Sequence, residues 1–168
     1  MNGINVTITD MMNCRDRRVR IQEDLIEKYQ KPVLSFCMNI PGPVKTNDEI
    51  QKAFESGKDV LLKSLSDCNI PVLHIETFHE PTGDELIMAL NAPAKDIKTL
   101  TTEIEESHPL GRLFDMDVIG IDGIKLSRNT YRKCIICGCQ AQECARSRKH
   151  SVEELQEKIT ELIHQFFI

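Results

Sequence analysis

The chain has 168 residues, 40% hydrophobic and 28% charged, enough for one compact domain with a proper core and no need of a second. Its net charge of -5 argues against general nucleic-acid binding, and no apolar run is long enough to cross a bilayer. Met1 to Arg20 lacks the basic-then-apolar order of an export signal, so a cytoplasmic protein is expected, and seven cysteines then suggest free thiols or a metal site, not a disulfide framework.

The first periodic stretch, Asp10 to Tyr29, reads as a helix with Met11, Cys14, Ile21, Leu25 and Tyr29 at helical spacing. Arg15, Arg18 and Gln22 share one of its faces, where the two arginines can reach an anion or, the preferred reading, pair with nearby acids such as Asp24. Val33 to Ile40 alternates as a strand, with Leu34, Phe36, Met38 and Ile40 on one side and Ser35, Cys37 and Asn39 on the other. It stops at Pro41-Gly42-Pro43-Val44-Lys45, a rigid turn whose glycine can expose backbone amides. Thr46 or Asn47 caps the next helix, which buries Ile50, Phe54, Leu61 and Leu65. Lys45 therefore sits at a loop-to-helix junction, a favourable place for phosphate.

Strands at Pro71 to Phe78 and Glu85 to Asn91 flank the hairpin connection His79 to Asp84. A helix opened by Pro93 carries Ile97, Leu100 and Ile104 and ends before His108-Pro109. Gly111 to Ile119 reads as a further strand with Phe114, Met116 and Val118 on one side and Asp115 and Asp117 together on the other. Two neighbouring carboxylates repel unless a cation lies between them, which points to a hard ion such as Mg²⁺ shared with substrate phosphates; the plain alternative is two surface aspartates on an edge strand. The preceding Gly111-Arg112 favours a site, since arginine offers a forked phosphate donor.

From Gly111 to His150 eight Lys/Arg face four Asp/Glu, leaving that segment at +4 and the remainder at -9. The tail holds Cys134, Cys137, Cys139 and Cys144 and then Arg146, Arg148, Lys149 and His150. Zinc at Cys134, Cys137 and Cys144, with His150 as a fourth ligand, is the less favoured reading, because the spacing matches no standard ribbon or finger and Ile135-Ile136 suits core thiols equally well. Ser151 to Glu154 forms a capping box for a last helix that buries Val152, Leu155, Ile159, Leu162, Ile163 and Phe166.

The order strand, helix, strand, strand, helix, strand predicts an α+β fold, a ferredoxin-like four-stranded antiparallel sheet (βαββαβ) with an added N-terminal helix and a Cys/Arg-rich C-terminal extension ending in a helix. One catalytic domain, 1-168, is expected, with its core at about 31-126 and the extension at about 127-168. In that topology the Pro41 to Lys45 turn lies beside Gly111 to Asp115, and the face away from the helices collects Ser35, Asn39, Asp115 and Asp117.

Four motifs in this order, Arg15-x-x-Arg18-x-x-x-Gln22, Asn39-Ile40-Pro41-Gly42-Pro43-x-Lys45, His108 to Val118, and Arg132-x-Cys134-x-x-Cys137 through Cys144-Ala145-Arg146-Ser147-Arg148-x-His150, make the chain resemble the holo-citrate lyase synthases, or apo-citrate lyase phosphoribosyl-dephospho-CoA transferases. Cys139 stands outside the resemblance. What it implies is a nucleotidyl-type transferase that moves the phosphoribosyl-dephospho-CoA group from 2′-(5″-triphosphoribosyl)-3′-dephospho-CoA to a serine of the citrate lyase acyl-carrier (gamma) subunit and releases diphosphate. On that reading Asp115 and Asp117 are catalytic and hold Mg²⁺, Arg112 and Lys45 steady the triphosphate, and Gly42 shapes its pocket. Arg15, Arg18, Arg146, Arg148 and His150 contact the diphosphate or the dephospho-CoA part, and some of the basic tail docks an acidic carrier. The rival readings are a metal-dependent phosphohydrolase with the same aspartates and a zinc-stabilised binding module.

Overall fold

In the computed structural model, which describes residues 1–168, the elements are α1 (Ile8–Tyr29), β1 (Val33–Met38), α2 (Asp48–Asp67), β2 (Val72–Glu80), β3 (Gly83–Leu90), α3 (Ala94–Ser107), a 3-10 turn (Gly111–Leu113), β4 (Phe114–Ile119), α4 (Ala141–Ser147) and α5 (Val152–Phe167). The strands form one sheet in the order β2-β3-β1-β4, each neighbouring pair antiparallel. The architecture is α+β, a four-stranded antiparallel sheet with five helices.

Period-two alternation gives the sheet one wholly apolar face. Leu34 and Phe36 from β1, Leu86 and Met88 from β3 and Phe114 and Met116 from β4 meet the stripes of α2 and α3, while Ile159 and Ile163 bring α5 into the same cluster. Each such side chain contributes roughly 1.5–3 kcal/mol on burial. Gly57 is what lets α2 lie so close: a β-carbon there would fall 2.8 Å from the ring ends of both Phe36 and Phe114. Asn47 caps α2 by accepting from the amides of Glu49 and Ile50, and Ser151 and Glu154 cap α5 reciprocally.

The opposite face is not free of helices, contrary to expectation. Leu25 of α1, with Ile21 and Tyr29 beside it, packs on Val33, Ile87 and Ala89, so α1 covers the β1–β3 half and leaves the β4 side open. β1 also stops two residues early, at Met38, because the Asn39 amide turns to the Leu113 carbonyl at 2.7 Å and prolines follow. Gly111 to Leu113 is accordingly a 3-10 turn and not the start of the strand.

β4 is an edge strand, and its outward backbone groups are capped by side chains and loop. Glu105 accepts from the Met116 amide at 2.8 Å, Lys98 donates to the Met116 carbonyl at 3.2 Å, and the Leu126 amide donates to the Val118 carbonyl at 2.8 Å. Arg132 takes the Phe114 carbonyl. An edge closed in this way has no free row on which a foreign strand can pair, and it holds Asp115 and Asp117 at a fixed register.

Candidate active site

That register places Cys37 opposite Asp115 and Ser35 opposite Asp117. Across the sheet one row runs Phe78, Glu85, Cys37, Asp115. The Glu85 side chain is only 2% exposed, and a carboxylate so deep persists only when paired. Arg18 supplies the pairing with Nε at 2.6 Å and a second donor to the same oxygen, and Arg17 binds the other oxygen at 3.0 Å. Arg17 also donates to Glu80 and lies 4.6 Å from the centre of the Phe78 ring. The expected partner of Arg18, Asp24, is thus replaced by an acid from the third strand, which no local spacing within a helix can foretell.

The two aspartates are side by side and surrounded by cations. Asp117 meets Lys125 at 2.6 Å, Asp115 meets Arg132 at 3.6 Å, and their side chains are 26% and 41% exposed. Burial and then the neighbouring Asp117 raise the carboxyl of Asp115 above its usual range, against the pull of Arg132, Lys125 and Arg18. Across from Asp115, burial pushes the Cys37 thiol up to about 12 despite Arg18, which disfavours its thiolate.

The remaining expected residues, Arg146 apart, fall into two clefts, not one. Arg15, Arg18, Gly42 and Lys45 line the first, of about 550 Å³, between the start of α1 and the proline turn. Lys45 donates to the Ile40 carbonyl at 2.7 Å, and burial lowers its pKa. Arg112, Arg148 and His150 line the second, of about 740 Å³, together with Asn39 and Pro41. Asn39, expected on the aspartate face, is there because the strand has already ended. The partition is the turn itself: Gly42, at φ +84, is wedged against α5, where a β-carbon would lie 2.5 Å from Gln156 Nε2, and Gln156 in turn donates to the Pro41 carbonyl at 3.0 Å.

Arg112 faces away from the aspartates, with Nε buried and unpartnered; burial and then Arg132 and Arg128 lower its pKa. Arg146 is exposed on α4 and lines neither cleft. Arg132, Lys125, Arg17 and Glu85 were missed as site residues. Arg132 is the most consequential, since besides Asp115 and Phe114 it reaches the carbonyls of Gly111 at 3.5 Å and Arg112 at 3.4 Å, fixing the turn that precedes the aspartates. Its position two residues before Cys134, inside a recognised motif, was the available signal.

Away from the aspartates, Cys134, Cys137, Cys144 and His150 bring one ligand atom each within 4.8 Å of one another, a cluster able to hold a metal. The tail therefore gathers donors that its linear spacing did not favour.

An acidic pair set among arginines and lysine, near a basic cleft on an antiparallel sheet, brings oxygen donors and positive charge together on one face. The family described as apo-citrate lyase phosphoribosyl-dephospho-CoA transferase matches residues 6–166. The Citrobacter koseri apo-citrate lyase phosphoribosyl-dephospho-CoA transferase is 33% identical over 163 residues, covering 95% of this chain and 89% of its own. A Vibrio cholerae serotype O1 protein named as a probable transferase of the same kind is 34% identical, covering 97% of this chain and 94% of its own. A similarly named Streptococcus pyogenes serotype M18 protein is 34% identical, covering 99% and 90%. The chain belongs to the apo-citrate lyase phosphoribosyl-dephospho-CoA transferase family.

Proposed function

We propose that the protein transfers the phosphoribosyl-dephospho-CoA group of 2′-(5″-triphosphoribosyl)-3′-dephospho-CoA to a serine of the citrate lyase acyl-carrier (gamma) subunit, with release of diphosphate. The observation that carries the site assignment is the pairing of Asp115 and Asp117 on one sheet face within a ring of Arg18, Arg132 and Lys125.

The chemistry joins the serine oxygen to the α-phosphorus and breaks the bond from that phosphorus to the diphosphate. Two adjacent oxygen donors fit Mg²⁺, which Asp115 and Asp117 would hold and which would neutralise phosphate charge there. Arg15, Arg18 and Lys45 orient the triphosphate in the first cleft, and their fixed charges favour the departing diphosphate. One of the two carboxylates, Asp115 or Asp117, would also take the serine proton as the oxygen attacks. Arg132 holds the Gly111 to Phe114 turn so that the two carboxylates keep their register. Arg112 and Arg148, at the second and more apolar cleft, receive the dephospho-CoA part, and Arg146, exposed outside both, meets the acidic carrier.

The strand order, with α2 and α3 as crossovers on one face, supports reading the core as ferredoxin-like. The burial of α5 residues in that core supports a single catalytic domain. No helix is long and apolar enough to cross a membrane, and the seven free cysteines fit a reducing compartment, so we place the protein in the cytoplasm.

The test is diphosphate release from the precursor in the presence of Mg²⁺, with and without the carrier subunit. Release that requires the carrier supports the transfer; equal release without it makes the protein a phosphohydrolase and overturns the reading.

A further inference from the structure

We infer that Cys134, Cys137, Cys144 and His150 form a closed, structural zinc site that holds the Ser127 to His150 stretch of the C-terminal extension in its folded shape. The donor set is the first reason. Three thiols and one imidazole whose ligand atoms all lie within 4.8 Å of one another match the Cys₃His type. Tetrahedral zinc, with Zn–S near 2.3 Å and Zn–N near 2.0–2.1 Å, sets neighbouring ligand atoms about 3.5–3.8 Å apart. The Cys137 and Cys144 sulfurs stand at 3.4 Å, so little movement is needed.

The backbone is built to aim these groups inward. The Cys134 amide donates to the Cys139 carbonyl at 2.7 Å and the Gly138 amide to the Cys134 carbonyl at 3.0 Å, folding the Cys134 to Cys137 stretch into a tight loop closed by the Lys133–Gln140 bridge. α4 then carries Cys144 back over that loop. The helix ends at Ser147 with Arg148 as its left-handed cap, and the Lys149 amide donates to the Cys144 carbonyl at 3.1 Å, which turns His150 towards the same point.

Two further observations separate a metal site from a set of core thiols. His150 Nε2 is buried with no hydrogen-bond partner, an orphan that a metal would satisfy. From Ser127 to His150 the only buried residues are Cys134 and Cys144, so this extension has no apolar core of its own. Segments so poor in burial are usually held by a disulfide or a metal. With three thiolates the site carries a net charge of about -1, and Lys149, whose Nζ lies 3.8 Å from Cys139 Sγ, is the adjacent cation.

The consequence reaches the second cleft. Cys134, Cys144 and His150 line its wall beside Arg112 and Arg148, and Arg132, which fixes the turn before Asp115, is two residues from the first ligand. His150 then serves the metal and not the substrate, while Cys139 is left outside the ligand set.

Purified full-length protein, reduced and stripped with chelator, is titrated with Zn²⁺ or Co²⁺ alone. The inference expects about one metal per chain and, with cobalt, the intense visible bands of tetrahedral thiolate coordination. Cys137→Ser, Cys144→Ser and His150→Ala lose those bands, Cys139→Ser keeps them, and metal protects the Ser127 to His150 segment from proteolysis. Far-UV circular dichroism confirms that each variant retains its folded core. Absence of metal uptake by the parent chain overturns the inference, as does an unchanged cobalt spectrum in Cys144→Ser. So does a Cys137–Cys144 disulfide in place of bound metal. None of these readouts depends on transfer activity, so a failed zinc site and a failed transferase assignment are told apart.

Discussion

Replacing Asp115 by asparagine preserves shape and removes one charge of the acidic pair. A strand rises about 3.3 Å per residue, so the β-carbons of Asp115 and Asp117 are about 6.6 Å apart. Two unit charges at that separation repel by about 0.6 kcal/mol in the dielectric of water and about 2.5 kcal/mol at an effective dielectric of 20. With the Asp115 side chain 41% exposed, the lower end applies. Loss of the 3.6 Å contact with Arg132 offsets this relief by about 0.2–1 kcal/mol. Asp115→Asn therefore unfolds within about 1 kcal/mol of the parent in urea. Carrier-dependent diphosphate release, in contrast, falls at least about 100-fold, or about 2.7 kcal/mol of transition-state stabilisation. A variant that keeps more than about a tenth of the parent rate would falsify the role given to this carboxylate. A variant that loses its cooperative unfolding would instead show that the pair is structural.

Glu85→Ala leaves Arg18 beside a cavity without its counter-charge and Arg17 with Glu80 alone; since both arginines are partly exposed, the expected loss is about 2–3 kcal/mol, and a urea midpoint equal to that of the parent contradicts it. Gly42→Ala forces a β-carbon against Gln156 and Val152 at a left-handed backbone position, so stability drops by about 1–3 kcal/mol and KM for the precursor rises; unchanged values of both would show that the turn does not shape the clefts. Burial raises the carboxyl of Glu105 above its ordinary range, so the folded chain binds that proton more tightly than the unfolded one. Its contribution is most favourable below the unfolded value of about 4.3 and is lost as pH rises through the higher folded value. Across that window Glu105→Gln gains stability relative to the parent, and a difference between the two that stays flat with pH refutes the burial argument.

Much of this arrangement is written in short-range patterns. The phases of β1 and β4 alone set Ser35, Cys37, Asp115 and Asp117 on one face, and the register pairs them there. Asn47 and Ser151 announce their helices by capping chemistry. What stayed hidden depends on contacts distant in sequence. The apolar stripe of α1 shows that the helix buries a side, but not that it lies across the half of the sheet carrying Val33 and Ile87. Glu85 looks like any strand acid until Arg17 and Arg18 close over it. Arg112 reads as a strand residue beside the aspartates, yet the 3-10 turn swings it into the other cleft, and the sequence carries no periodicity that distinguishes one such turn from a strand start. The cysteine spacing is opaque for a similar reason: a helix of two turns, α4, folds Cys144 back over the Cys134 loop, so linear distance misleads.

The most direct measurement is the intact mass of the citrate lyase acyl-carrier subunit after incubation with this protein, the triphosphoribosyl precursor and Mg²⁺. The account expects the carrier to gain the mass of one phosphoribosyl-dephospho-CoA group, on a serine, and to gain nothing when Asp115→Asn replaces the parent enzyme. A carrier of unchanged mass with the parent enzyme, or one modified equally well by the Asp115 variant, would contradict it.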